Sequence, residues 1–235
     1  MVCDISTSIY NRVIETRLEE AAVEEGIMEV VNFYSSKGLP FLWMVGPEDS
    51  PPDLSRRLEE SGFVRSGSPG MAMDLSLLRE PAAPPGFRLE PVQDEESLTD
   101  YSQLMPQAFG FDELSKEAVS GWIRGVGLQE DLSHYIGYLD DEPVTFSSVF
   151  CADGVAGLYC VASTPEARGR GLGSLTSTVP LLAARGEGYR VGVLHSTMMA
   201  HGVYLRLGFK DYCEIVNYSR SESGDSYLQT LSRKR

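Results

Sequence analysis

The sequence predicts an α/β (α+β) chain, a mixed and mostly antiparallel sheet flanked by helices, with a half-domain preceding it. Three observations predict this. Strand-like runs alternate with runs of helical periodicity, a Pro/Ala/Gly-rich stretch from Glu80 to Gly86 interrupts them, and one strand leads through a glycine loop into a helix. Proline removes backbone donors and stiffens the chain against helix and sheet, so the stretch reads as a linker. The expected organisation is an N-terminal domain at 1–80, a linker at 81–86, a second domain at 87–219 and a polar tail at 220–235.

In the first domain a helical pattern spans 14–31, and an apolar strand follows at 39–45. A turn rich in Pro and Asp at 47–53 leads to a helix at 54–61 and a strand near 71–77. The second domain reads as a strand at 87–90, helices at 94–108 and 115–125, and strands at 134–139 and 143–150. Asp140-Asp141-Glu142 joins those last two strands as a hairpin. A strand at 157–162, the glycine loop and a helix at 172–185 come next. In that helix Leu172, Leu175, Val179 and Leu182 form one apolar face, and Pro180 is expected to kink it. A strand at 190–195, a helix at 199–207 and a strand at 211–218 complete the pattern. Within the polar tail, 227–231 is a candidate edge strand.

Composition narrows the function. Thirty-four acidic against twenty basic residues give a net charge of −14 across 235 residues, which repels nucleic acid and anionic membranes. The same charge suits either solubility or a cationic substrate. No apolar run approaches the ~20 residues that cross a bilayer, and the N-terminus has no basic leader with an apolar core, so a cytoplasmic protein is expected. Cys3, Cys151, Cys160 and Cys213 form no C-x-x-C pair, which argues against zinc and against a disulfide framework. No metal is expected.

The chemistry concentrates in Leu158–Ser174, LYCVASTPEARGRGLGS. Glycines there let the backbone approach an anion, and the helix they open points unpaired N–H groups and its positive dipole end at it. A Walker loop would need Lys and Ser/Thr after the last glycine, but Gly173 is followed by Ser174-Leu175. A dinucleotide loop would need a third glycine where Ser174 stands, at the start of a parallel βαβ unit.

Arg168-x-x-Gly171-x-Gly173 instead resembles the coenzyme A loop, R/Q-x-x-G-x-G/A, of the GNAT N-acetyltransferase superfamily. Downstream, Thr197-x-x-Ala200-x-x-Val203-Tyr204-x-x-x-Gly208-Phe209 resembles that family's second signature, and the likeness spans 87–218. Trp43-Met44-Val45-Gly46-Pro47 resembles bacterial members whose first half is a degenerate acetyltransferase. The resemblance implies that backbone from Arg168, Gly169, Arg170, Gly171, Leu172, Gly173 and Ser174 cradles the pyrophosphate of acetyl-coenzyme A. It also implies a bulge in the preceding strand, with Val161, Ala162 and Ser163 facing the pantetheine arm and the amide near Val161 polarising the thioester. Tyr204 would be the general acid that protonates the departing thiolate. Thr197, where the family has asparagine, would bind through a shorter side chain. A homodimer is consistent with the family.

Other readings stay open beside this one. The family's glutamate base has no counterpart in Leu158-Tyr159-Cys160, which leaves His134, His195 and His201 as candidates, with Cys160 a weaker one. The acceptor is an amine of unspecified class, and Phe109, Phe111 and Trp122 are candidates to line its cleft. The rival function is a non-enzymatic acyl-coenzyme A sensor on the same fold. Finally, Leu58–Phe63 echoes Tyr204–Phe209, a helix stopped by glycine before a buried aromatic. The first half has no glycine loop, only Gly46-Pro47-Glu48-Asp49, whose carboxylates would repel phosphate.

Overall fold

The computed structural model describes residues 2, 3 and 5–220, so the edge strand expected at 227–231 lies outside it. The elements in chain order are β1 (Arg12–Val13), α1 (Val23–Ser36), β2 (Leu42–Val45), α2 (Leu54–Glu60), β3 (Val64–Asp74), β4 (Phe87–Pro91), α3 (Glu95–Phe109) and α4 (Glu113–Val126). Then come β5 (Leu132–Leu139), β6 (Glu142–Ala152), β7 (Val155–Ser163), α5 (Leu172–Gly186), β8 (Val191–His195), α6 (Met198–Leu207) and β9 (Lys210–Ser219).

Two elements depart from expectation for identifiable reasons. The helix expected from 14 begins only at Val23. Glu15 has φ 54°, in the left-handed region, while the Thr16 amide donates to Asp49 and the Thr16 hydroxyl accepts from Trp43 Nε1 at 2.8 Å. Long-range bonds therefore outcompete helical ones there. The strand expected at 71–77 starts at Val64 and ends at Asp74, where the Asp74 carboxylate accepts from the Ser76 amide at 2.9 Å and turns the chain.

Among the described residues, those up to Pro69 together with those from Cys213 onward form one compact unit, and Gly70–Tyr212 form another. The division falls within β3 and β9, not at the proline-rich stretch 81–86. Pairing is the reason. Residues 70–74 pair with β8, from Gly70 opposite His195 to Asp74 opposite Val191, whereas Val216–Tyr218 of β9 pair with β2, Tyr218 opposite Trp43. In the first unit the strand order is β1-β2-β9-β3. Val23, Ile27 and Val31 of α1, Leu54 and Leu58 of α2, and Trp43, Phe63 and Tyr218 make its core.

The second unit has the order β3-β8-β7-β6-β5-β4, antiparallel except where β7 and β8 run parallel. The expected hairpin turn is present. Asp140 and Asp141 both take positive φ, 51° and 68°, as a two-residue turn matched to strand twist requires. Helix α5 packs on β6 and β7, with Leu181 and Ala184 against Val149, Ala156 and Leu158 in the core.

Pro180 does not end α5, which runs unbroken from Leu172 to Gly186. Proline has no N–H, so the carbonyl four residues back, that of Thr176, loses its helical donor. The buried Ser147 hydroxyl of β6 supplies one at 2.8 Å. The same device recurs in α3. Pro106 lies inside that helix, and the Ser102 carbonyl accepts from the Ser120 hydroxyl of α4 at 2.7 Å. Ser147→Ala should therefore destabilise the protein by about 1–3 kcal/mol, the effect of a buried carbonyl left without a donor. Adding Pro180→Ala, which restores the helical N–H, should recover most of that loss in denaturant titrations.

Candidate active site

Strand β7 carries one residue more than β6 can match. Phe146 pairs with Ala162 and Ser148 with Tyr159, leaving Cys160 and Val161 opposite Ser147 alone. Cys160 at φ 53° absorbs the extra residue in the left-handed region. The expected bulge is thus present. On the other side, β7 and β8 pair only from Val155 opposite Val191 to Gly157 opposite Val193, although both strands continue. Beyond Gly157 the two part.

The Thr164 amide donates to the Val144 carbonyl of β6 at 2.9 Å. By the alternation of an antiparallel pair, the peptide group of Ser163 turns away from β6 toward the opening. Ala162 does not share that role. It pairs with Phe146, and its carbonyl accepts from the Thr145 hydroxyl at 2.7 Å. Thr145 Oγ1 also meets Thr176 Oγ1 at 3.0 Å and receives the Ser163 hydroxyl at 3.1 Å. This buried hydroxyl cluster links the end of β7 to α5.

After a short 3-10 turn at Pro165–Ala167 the loop reaches α5. Gly169 has φ 76° and Gly171 φ 78°, so both need glycine for conformational reasons. Gly171 is the N-cap, no side chain caps the helix, and no acidic residue occupies its first turn. The Ser174 amide bonds back to the Gly171 carbonyl at 3.1 Å. Gly173 differs. Its φ is not positive, and a Cβ added there meets nothing within 4 Å. Arg168 spends its guanidinium on carbonyls, Ser163 and Ala108 at 3.3 Å each, and so braces the loop to β7 and to α3. Arg170 is exposed.

Tyr204 lies on α6, 7% exposed, with its ring edge-on to Phe209 at 5.8 Å. Burial, the larger influence, pushes its phenol above the usual tyrosine range, and the nearby Ser177 side chain of α5 acts weakly in the opposite sense. Ser177 in turn donates to the Gly173 carbonyl at 2.7 Å. Thr197 is the N-cap of α6, its oxygen accepting from the Ala200 amide at 3.3 Å. Its side-chain oxygen is thus engaged within the helix, and its hydroxyl hydrogen is the group it can offer outward.

The three histidines sit apart. His134 of β5 is 8% exposed and its Nδ1 bonds Ser148 Oγ at 2.8 Å, which also meets the Tyr101 hydroxyl of α3 at 2.7 Å. Burial lowers its pKa to about 4, so it is neutral near pH 7. His201 of α6 bonds the Asp211 carboxylate at 2.9 Å. His195 is exposed at the end of β8. Among the aromatic candidates, Phe111 is in the core at 3% exposed, Phe109 packs edge-on against Phe146 at 5.7 Å, and Trp122 is 40% exposed.

The echo between the halves is geometric. The Phe63 amide reaches the Leu58 carbonyl and the Phe209 amide the Tyr204 carbonyl, each at 3.0 Å, around Gly62 at φ 85° and Gly208 at φ 103°. Both helices end in a glycine-centred cap. The chemistry differs: Leu58 is a fully buried leucine where Tyr204 is a tyrosine. In the first unit the Asp49 carboxylate occupies the Gly46 amide at 2.6 Å and the Thr16 amide.

No family model and no curated protein matches the chain. Solved structures do. A GCN5-related N-acetyltransferase from Kribbella flavida is 20% identical, with a TM-score of 0.68 over 88% of this chain and 78% of that one. One from Sphaerobacter thermophilus is 16% identical, with a TM-score of 0.65 over 86% and 69%. A tandem GNAT protein from the clavulanic acid biosynthesis pathway is 17% identical, with a TM-score of 0.60 over 89% and 72%. The mixed sheet, bulged strand and glycine loop thus make up the fold of the GCN5-related N-acetyltransferases. No helix among the described residues is long and apolar enough to cross a membrane.

His134 makes a prediction that does not depend on ligand. Its folded pKa of about 4 lies below the 6.5 of an ordinary histidine, so between those values the unfolded chain binds the extra proton. Stability attributable to His134 should be complete above pH 6.5 and fall as pH drops toward 4, by on the order of 3 kcal/mol at 1.36 kcal/mol per unit. Subtracting the same pH series for His134→Gln should remove that component from urea midpoints.

Proposed function

We propose that the chain is an N-acetyltransferase that moves the acetyl group of acetyl-coenzyme A to an amine by direct attack within a ternary complex. The observation that carries the reading is Gly173. Neither its backbone angles nor any protein neighbour calls for glycine, yet it sits in the first turn of an uncapped helix. A bound pyrophosphate supplies the missing reason, since a Cβ there would hold the anion off. In this reading the amides of Gly171–Gly173 hold the pyrophosphate, with Gly169 and Gly171 shaping the loop. The peptide groups of Val161 and Ser163 bond the pantetheine arm, and the Val161 amide polarises the thioester carbonyl. Arg168 acts as a brace for the loop, while Arg170 remains available to offset phosphate charge.

Tyr204 then gives its proton to the departing thiolate. Its acidity is below that of a free phenol, near ~10, against a thiol near ~8.5, so the transfer relies on positioning. His134, neutral and bonded to Ser148, does not take the role of a base poised near neutrality. A free amine in equilibrium with its ammonium form suffices as nucleophile. The acidic balance of the chain, 34 against 20, favours a cationic acceptor. We assign the first unit no catalytic role: it is a degenerate counterpart whose Leu58 and Asp49 replace an acid and an anion site.

Two substitutions test the cradle. Gly173→Ala should leave the melting temperature unchanged or raised, because alanine favours helix, while weakening coenzyme A at least about tenfold by calorimetry. Gly171→Ala should cost about 1–2 kcal/mol of stability, since a side chain disfavours its left-handed conformation. Unaltered affinity in Gly173→Ala refutes the cradle. Tyr204→Phe should lower kcat at least about 100-fold, the low end of general acid catalysis, with coenzyme A affinity retained. Thiol release from acetyl-coenzyme A across a panel of amines measures the activity itself. Binding without release for every amine class would replace the enzyme with a sensor.

A further inference from the structure

Resting on that reading of the reaction, we propose that Tyr159, laid over Gly157 beside Phe150, is the floor on which the acceptor sets an apolar group. The preferred substrate is then a primary amine that carries an aryl or alkyl side group. The geometry starts from Gly157. Its φ is not positive, so its backbone conformation does not call for glycine. A Cβ added there would stand 2.6 Å from Tyr159 Cε2, 2.8 Å from the phenol oxygen and 3.0 Å from Cζ. The glycine makes room for the far end of that ring. Tyr159 thus lies down along β7 and fills the place that a side chain at 157 would take. Phe150 of β6 is directly opposite Gly157, and facing side chains of such a pair start about 5 Å apart, so Phe150 borders the ring. Both aromatics are open to solvent, Phe150 at 43% and Tyr159 at 44% exposed.

The place of this floor ties it to the reaction. Gly157 is the last residue of β7 paired with β8, opposite Val193, and Tyr159 is the next residue of β7 on the same face. Directly beyond come the bulge at Cys160 and Val161 and the opening assigned to the thioester. The other face of β7 is closed, because Ala156 and Leu158 are buried with Leu181 and Ala184 of α5 in the core. An acceptor that reaches the opening from the uncovered face therefore passes over Tyr159. The same row continues in half-buried Val193 of β8 and, opposite it, half-buried Ala72 of β3. From Phe150 to Ala72 the row holds no carboxylate and no cation; Asp74, opposite Val191, is two residues further along β3. On the helical side the floor ends at Ser148, opposite Tyr159, whose hydroxyl is already engaged by Tyr101 and His134. A polar substituent finds no partner on this surface, whereas an apolar one finds ring faces and methyl groups.

Thiol release from acetyl-coenzyme A with 2-phenylethylamine and with 2-aminoethanol tests this on the full chain. The aryl amine should be preferred in kcat/KM by at least about tenfold, the low end of what a hydrophobic surface gives for one methylene. Tyr159→Ala should bring the ratio of the two kcat/KM values toward one. Gly157→Ala should lower it too, since its backbone tolerates alanine and the new Cβ displaces only the far end of the ring. Added to Tyr159→Ala, it should move the ratio less than about twofold, because no ring is left to displace. A ratio kept in Tyr159→Ala, with both amines slowed equally, would make the ring merely structural and overturn the proposal. So would a wild-type preference for 2-aminoethanol, and either result leaves the acetyltransferase reading in place. A dimer in sedimentation that Phe150→Asp splits, with the ratio unmoved, would give this face to a second copy and also overturn it. No release with these or any other amines would instead remove the enzymatic reading on which it stands.

Discussion

The candidate site depends on one contact, the docking of α5 on β6 through hydroxyls that serve carbonyls. A helix that opens at an anion site must be placed precisely along its axis, because its first amides do the binding. Apolar packing of Leu181 against Val149 and Leu158 supplies adhesion but little axial registration. The bond from Ser147 to the Thr176 carbonyl supplies registration, and Pro180 makes it obligatory by removing the helical donor. From that point the glycine loop lies one turn toward the N-terminus. A single sheet residue thereby fixes the axial position of the helix that opens at the proposed cradle.

The bulge in β7 is the complementary constraint. A regular strand would pair with both neighbours to its end and leave no backbone for a ligand. One extra residue, with Cys160 in the left-handed region, lets the strand bend while Ala162 and Ser163 still pair with β6. The parallel pairing with β8 stops at Gly157, which leaves the far end of β7 unpaired with β8. A non-glycine residue at φ 53° is a strained choice, which surrounding pairing on both sides of the bulge has to hold in place.

Much of this was legible in the residues because it is local. The Asp-Asp hairpin, the glycine stops at Gly62 and Gly208 and the strand-loop-helix at 158–174 depend on neighbours within a few positions. The parts that were not legible depend on distant partners. Nothing near Ile14 announces that Asp49 and Trp43 will hold Thr16 out of a helix. The strand from Val64 was hidden by Ser66-Gly67-Ser68-Pro69-Gly70, a run with turn composition. The proline-rich stretch marked a break in regular structure, but pairing of residues 70–74 with β8 decides unit membership. Within the site, the loop and Tyr204 carried signatures, whereas the bond of Ala162 to Thr145 and the capping role of Thr197 follow from side-chain geometry.

The two units share the features that packing needs and differ in those that the proposed reaction needs. Both end a helix with glycine in the left-handed region and bury the next aromatic, Phe63 at 4% exposed and Phe209 at 2%. Those features stabilise each unit whether or not any ligand binds, so packing alone maintains them. Where the second unit's helix–glycine–aromatic pattern has Tyr204, the first unit has Leu58, which fills core space and carries no ionisable group. Its Asp49 carboxylate sits on the amides of Gly46 and Thr16, a built-in anion that completes the turn and repels a second one. In the second unit no side chain caps α5 and no acidic residue stands in its first turn, so the proposed pyrophosphate would meet no internal anion there.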